Sequence, residues 1–325
     1  MCGLYYSDIP VRVKRGRTVR WASFGNVSSS IRLSRVLAVA VAAVVAAVFV
    51  LFITSPDPEP TGPDPDLAEV VREHTDGLRP DARYRPPDDA ERHAFVRGLR
   101  ALGVGQDAEA LRALGFSVDV GTDRATGRRF ALAVNAAGER AWGLYLIDLS
   151  EPSRLLVEVP HPNYDLRTEV VGLALWRAVP GSLLAVSGTH RKAANGAGDV
   201  AHRADSMFHA LATDFAERGV AQVQLHGFDD ASLPGEEVVL SVGTDSPGPA
   251  AQRAADRMSD AGLAVCLPWR TTCGRLEGTR NKQGIAAAGA DSLFLHVEMN
   301  RSVRDSRTEW TAVVDALAGA DLTRG

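Results

Sequence analysis

The chain has 325 residues, 45% of them hydrophobic, and a formal net charge of -4. The near-neutral balance excludes the general basic footprint of a nucleic-acid binder. The length is sufficient for a full hydrophobic core, and because the N-terminal segments use up part of it, one large domain is expected.

Residues 1–35 read as a basic cytoplasmic tail, with Arg12, Lys14, Arg15, Arg17, Arg20, Arg32 and Arg35 against one acid, Asp8. Residues 36–54 read as a transmembrane helix. The run from Val36 to Ile53 is uncharged and free of Gly and Pro, and ~18 such residues meet the lower limit for a hydrocarbon core. Its end, Phe49-Val50-Leu51-Phe52-Ile53, is too bulky for a cleavage site, which favours an uncleaved signal anchor over a signal peptide. Basic residues before the run and Asp57, Glu59, Asp64 and Asp66 after it place the N-terminus in the cytoplasm. The expected partner of residues 36–53 is therefore the lipid bilayer, and residues 67–325 are expected to be extracytoplasmic. Residues 55–66, SPDPEPTGPDPD, predict an extended spacer between the two.

From there, Asp89 to Leu102 predicts a helix capped by Asp88, and Ala108 to Leu114 a shorter one. Strands are predicted over Phe116 to Val120, Arg129 to Val134, Gly143 to Leu149 and Leu155 to Val159. Strand and helix then alternate. Glu169 to Val179 reads as a helix capped by Thr168, Ser182 to Val186 as a strand, Asp205 to Arg218 as a helix and Ala221 to Leu225 as a strand. Val238 to Val242 reads as a strand, Ala250 to Ala261 as a helix, and Leu263 to Leu267 and Leu293 to Val297 as strands. Arg307 to Leu317 closes as a helix. The expected fold class is α/β: three layers, with a mostly parallel mixed sheet covered by helices on both faces.

Cys266 and Cys273 could close a small loop in an oxidising compartment or stay as two thiols. Six of the eight His residues fall between His161 and His296. Several follow a predicted strand, the edge at which open α/β sheets bind ligands. Val159-Pro160-His161 and Leu225-His226-Gly227 end two apolar strands, and Glu298 ends a third just after His296. His296 and Glu298 alternate with Leu295 and Val297, so they share one face. Catalytic zinc takes three protein ligands and keeps one position for water, with a carboxylate nearby to take the proton. His161, Glu169 and His226 can supply the ligands and Glu298 the base. Asp165, four residues after His161, competes with Glu169 for the carboxylate position. His209 on its helix is a candidate for proton transfer, and His190 and His202 flank a Gly/Ala-rich loop suited to substrate. Arg280-Asn281-Lys282-Gln283-Gly284 is a polar stretch that could touch substrate as well.

The stretches Val159-Pro160-His161, Leu225-His226-Gly227 and His296-Val297-Glu298-Met299-Asn300-Arg301-Ser302 resemble the N-formylglutamate amidohydrolases. The resemblance covers residues 155–305 and is most specific in Glu298-Met299-Asn300-Arg301. It implies a phosphorylase/hydrolase-like fold, shared with zinc carboxypeptidases and aspartoacylases, and one bound Zn2+. It also implies His161 and His226 as metal ligands, Glu298 as general base, and Arg191 and Arg301 as carboxylate binders, with His190 and Asn300 beside the substrate. The family layout favours Glu169 as the third ligand. Three departures stand out. The ligand carboxylate comes later after His161 than in the carboxypeptidases, Gln224 stands where the family has Asp, and Arg304 lies in the region where a Tyr commonly follows the family's Asn-Arg stretch.

The function expected is thus a membrane-anchored zinc amidohydrolase acting on a small-molecule or peptide substrate with a carboxylate. A tethered binding or scaffold module that has lost turnover is the alternative.

Overall fold

The computed structural model describes residues 65–136 and 138–322. The basic tail, the apolar run and most of the Pro/Asp-rich spacer lie outside them. Among the described residues no helix is long and apolar enough to cross a membrane.

Among the described residues nine strands form one mixed sheet in the order β1-β2-β3-β5-β4-β6-β9-β7-β8. Its centre is parallel: β5 (Ser182–Val186), β4 (Leu155–Val159), β6 (Ala221–Gly227) and β9 (Phe294–Met299). These are short, buried runs joined through helices, the pattern that a parallel sheet requires. The flanks are antiparallel. β1 (Ser117–Thr122), β2 (Arg129–Asn135) and β3 (Gly143–Asp148) form a meander onto β5. On the other side β7 (Val238–Ser241) runs against β9, with the two-residue β8 (Val265–Cys266) parallel to it. The expectation of a mostly parallel sheet is corrected here. The links between β1, β2 and β3 hold no crossover helix, and such short links between neighbouring strands can join only antiparallel ones; β7 reaches its place beyond β9 and runs against it.

Helices cover both faces. On one side lie α1 (Leu67–Asp76), α4 (Thr168–Ala178), α6 (Pro249–Asp260) and α9 (Arg307–Ala318). Their Val71, Trp176, Met258 and Leu317 pack on Leu155, Val157 and Val159 of β4, Val223 and Leu225 of β6 and Leu295 and Val297 of β9. On the other lie α2 (Asp89–Gly103), α3 (Glu109–Ala113), α5 (Met207–Glu217) and α7 (Lys282–Gly289). There Phe95, Leu111, Phe208 and Leu211 meet Leu156, Leu183, Tyr145 and Ile147. The short α8 (Arg301–Asp305) links β9 to α9.

Local signals explain most of the boundaries. Asp88 and Glu91 form a reciprocal capping box at the start of α2. Ser206 caps α5, and Pro249 opens α6. Thr168 does not cap α4. The cap position is Arg167, held at φ 73°, and Thr168 Oγ1 instead donates to the Asp165 carbonyl at 2.8 Å.

The contact of α2 with α3 gives a stability prediction. A Cβ added at Gly98 would lie 2.7 Å from Leu111 Cγ, and Leu111 is fully buried. Gly98→Ala is therefore expected to cost about 1–3 kcal/mol by overpacking, despite the better helix propensity of Ala. A denaturant midpoint at or above wild type would refute this.

Candidate metal centre

Alternation along three strands puts the apolar set on one face and a polar set on the other. β4 presents Glu158; β6 presents Gln222, Gln224 and His226; β9 presents His296 and Glu298. In register, Glu158, Gln224 and His296 form one row across the sheet, and His226 and Glu298 the next row towards the C-terminal edge. All of these side chains are buried.

His161 follows β4, in a turn in which its carbonyl accepts from Tyr164 N at 3.1 Å and Asp165 N at 2.9 Å. One such turn carries residues four apart to the same side. Asp165 Oδ2 therefore lies 3.2 Å from His161 Nδ1 and 3.2 Å from His226 Nδ1. The far nitrogens are held as well. His161 Nε2–H donates to Asp199 Oδ1 at 2.8 Å, and His226 Nε2–H donates to Gln224 Oε1 at 2.7 Å. In the neutral rings this leaves both Nδ1 lone pairs facing the Asp165 carboxylate, with Arg191 Nη1 also approaching His161 Nδ1 at 3.4 Å. Two lone pairs and a carboxylate converging in a buried site call for a cation between them.

The ionisation states agree for His226 and Asp165, while at His161 burial is outweighed by two carboxylates, which shift that ring towards its protonated form until a cation replaces the proton. Burial presses His226 down to about 4, only partly offset by Asp165, so it is a neutral ligand at neutral pH. Burial opposes the Asp165 carboxylate, but its bonds to His161 and His226 outweigh this and hold it well below the usual range. Burial also lowers His161, yet Asp165 and Asp199 together raise it. Glu298 is pushed far up by burial and then by the charge of Asp165. Its Oε2 is buried without a hydrogen-bond partner among the described residues, as is His296 Nδ1.

Ligand atoms of His161, Asp165 and His226 lie within 4.8 Å of one another, and all three residues are buried. His226, His296 and Glu298 form an overlapping group, and His161, Asp199 and His202 another. The first set fits a zinc ion best, because each imidazole keeps an acceptor on its second nitrogen and the carboxylate faces both. These residues line a cavity of about 250 Å³ together with Tyr164, Arg191, His202, Arg275, Arg280, Asn281, His296 and Glu298. Arg191 sits at its side, bonded to Asp199 Oδ2 at 2.8 Å and 4.9 Å above the Tyr164 ring.

Several expected site residues lie elsewhere. Glu169 is in the first turn of α4, half-buried, with Asp76 and Arg167 as its charged neighbours, and it belongs to none of the three donor groups. Asp165 takes the place expected for Glu169, because the turn after His161 closes within four residues and the helix starts only beyond it. Arg301 is on the surface, bonded to Asp305 at 2.6 Å. The arginine turned inwards is Arg304, whose guanidinium donates to the carbonyls of Met299, Asn300, Leu166 and Phe228. A Cβ at Gly227 would run into it. Asn300 caps α8 through Val303 N. His190 accepts from Lys192 N at 3.1 Å beside Tyr164 and does not line the cavity. His209 reaches the site only through Gln283 and Gln224. Asp199 and Arg275 were not anticipated; each joins the site from far along the chain, and no periodicity or strand end marks either. Gln224 orients the His226 ring through Nε2 as an Asp there would, without the negative charge.

Cys266 and Cys273 are joined by a disulfide.

No known protein family's sequence profile matches the chain, and no curated protein matches it. Among solved structures, an aspartoacylase family protein from Mesorhizobium loti is similar at 12% identity, over 64% of this chain and 72% of that one, with a TM-score of 0.39. A succinylglutamate desuccinylase/aspartoacylase from Rhodobacter sphaeroides is similar at 10% identity, over 64% and 66%, with a TM-score of 0.36. A candidate metallopeptidase from Shewanella denitrificans is similar at 14% identity, over 75% and 95%, with a TM-score of 0.32. These are distant likenesses; what the site can do follows from its own residues.

Proposed function

We propose that this chain is a zinc-dependent amidohydrolase that cleaves an amide bond in a carboxylate-bearing substrate of the N-acyl amino acid or wall-peptide class. The observation that carries this reading is the convergence of His161 Nδ1 and His226 Nδ1 on Asp165, beside Glu298, at an accessible cavity. His161, Asp165 and His226 would hold the ion, which when bound supplies a Lewis acid and lowers the pKa of a water. Glu298 lies in register with His226 and is placed to take a proton from the attacking water and return it to the leaving nitrogen. Burial and the Asp165 charge raise Glu298, and the nearby Arg304 and Arg191 only partly oppose this; a bound cation would add the positive charge that favours the ionised form this role needs. Arg191, stacked on Tyr164, orients a substrate carboxylate with its guanidinium fork. The basic, apolar and acidic order of residues 12–66 supports a membrane tether with this domain on the far side, and the Cys266–Cys273 disulfide is in keeping with an oxidising compartment.

Elemental analysis of the purified full-length chain tests the centre. About one zinc per chain is expected, lost in His161→Ala and His226→Ala proteins that stay folded. A folded wild-type chain that stays empty after incubation with zinc would sink the reading. Glu298→Gln is expected to keep the metal and to lower kcat on an amide substrate by roughly 10²–10⁴-fold. Unchanged turnover would remove Glu298 as the base.

A further inference from the structure

We propose that the segment from Cys266 to Asn281 is a wall that reads an anionic group of the substrate, with Arg275 and Arg280 as its carboxylate-binding residues and the disulfide as the brace that holds them. The proposal deepens the hydrolase reading and rests on it for calling the ligand a substrate.

The segment has little regular structure, only the three-residue helical turn Gly274–Leu276. It is nevertheless fastened to the sheet at four places. Cys266, on β8, is bonded to Cys273, and both sulfurs are buried against Phe228 and Val239. The Glu277 side chain accepts from Cys273 N at 2.9 Å, and its carbonyl accepts from Ser241 Oγ at 2.6 Å. Gly278, at φ +67°, lies so close to His296 that a Cβ there would stand 2.7 Å from the ring. Asn281 donates to Gln224 Oε1, the atom that also holds His226. A loop tied down at such intervals loses little further entropy when a ligand binds.

Arg275 and Arg280 are exposed on this wall and line the same cavity as His161, His226 and Glu298. Arg191, which would hold one substrate carboxylate, is shared with Asp199 through one nitrogen, whereas neither Arg275 nor Arg280 has an ion pair or side-chain hydrogen bond among the described residues. The mouth of the cavity therefore carries two guanidinium groups free to bind, above a floor whose acids are Asp165 and Glu298. A planar fork matches a carboxylate. The wall thus recognises an anionic group additional to the carboxylate held by Arg191.

The test uses the full-length chain, stripped of metal so that no anion can bind an ion, and isothermal titration with glutarate at pH 7.5. Neutral glutaramide and inorganic phosphate serve as comparison probes. Glutarate is expected to bind and glutaramide not. Affinity is expected to fall about tenfold or more in Arg275→Ala/Arg280→Ala, the equivalent of one lost charged hydrogen bond, and to return in part in the double Lys variant. Its dependence on salt is expected to flatten in the Ala variant. Cys266→Ser/Cys273→Ser, checked for folding by circular dichroism, is expected to weaken binding with the arginines intact. No binding by wild type, equal binding by the Ala double variant, or phosphate binding with glutarate silent would each overturn the assignment. Because the titration needs no metal, an empty zinc site would sink the hydrolase reading without deciding this one.

Discussion

Asp165→Asn is expected to empty the metal centre while Glu169→Gln leaves it filled. Asp165 Oδ2 is the carboxylate oxygen that both His161 Nδ1 and His226 Nδ1 face, each at 3.2 Å. Asn removes the negative charge, and its amide can turn N–H groups onto the two lone pairs that would ligate the ion. The loss is therefore expected to exceed the roughly 10–100-fold fall in affinity usual for residues one shell further out. Glu169 is only four residues on, but it belongs to α4, and its charged neighbours are Asp76 and Arg167. The measurement is zinc per chain after dialysis, backed by thermal melts. Added zinc raises the Tm of any protein that binds it when folded, so wild type and Glu169→Gln should shift and Asp165→Asn should not. The reverse pattern would mean that the helix start, and not the turn after His161, assembles the centre.

That choice shows where the sequence stops being legible. Both carboxylates follow His161, and spacing alone could not decide between them. The decision comes from how tightly the turn closes, with Tyr164 N and Asp165 N both bonded back to the His161 carbonyl. Asn163 at φ 58° and Arg167 at φ 73° hold the left-handed conformations that delay the helix. Strand ends were easier, because an apolar run that stops at His or Glu is a local signal. β4 and β5 fall on the residues that their patterns predict, and His226 and Glu298 stand opposite each other because their strands are register neighbours.

The missed parts depend on long-range contacts. Asp199 lies 38 residues beyond His161 and meets its Nε2 only in the folded chain. α7 begins in a stretch that reads as a polar loop, Arg280 to Gly284. It exists as a helix because Asn281 caps it and Ala287 packs with Ala216 and Phe294. Arg301 and Arg304 are three apart, and which one turns inwards depends on the open space at Gly227 and on carbonyls from three separate segments. The antiparallel flank was within reach: the short links between β1, β2 and β3 contain no crossover helix, and that alone excludes a parallel run there.

Glu158→Gln is expected to stabilise the protein above neutral pH and to flatten its pH dependence. Glu158 is fully buried in the polar row, where it accepts from Gln224 Nε2 at 2.9 Å, and its other oxygen has no partner among the described residues. Burial, only partly opposed by that hydrogen bond, pushes its pKa up to about 8. In the unfolded chain it ionises near 4.3. The folded value is the higher one, so the unfolded state releases the proton first. The stability that the neutral carboxyl allows is fully present below about pH 4.3 and is lost steadily as pH rises towards 8, at about 1.4 kcal/mol per pH unit for this one group. Over that span the loss is on the order of 3–5 kcal/mol. Gln keeps an oxygen to accept from Gln224 and has no proton to lose. The two proteins should therefore differ little at pH 5, and the variant should be more stable at pH 8, as read by denaturant unfolding at both values. Parallel curves for the two proteins would show that Glu158 is ionised when folded, with a counter-charge reaching the row. The same row holds Gln224 against His226 Nε2, so a neutral Glu158 also protects the ring orientation that the metal centre needs.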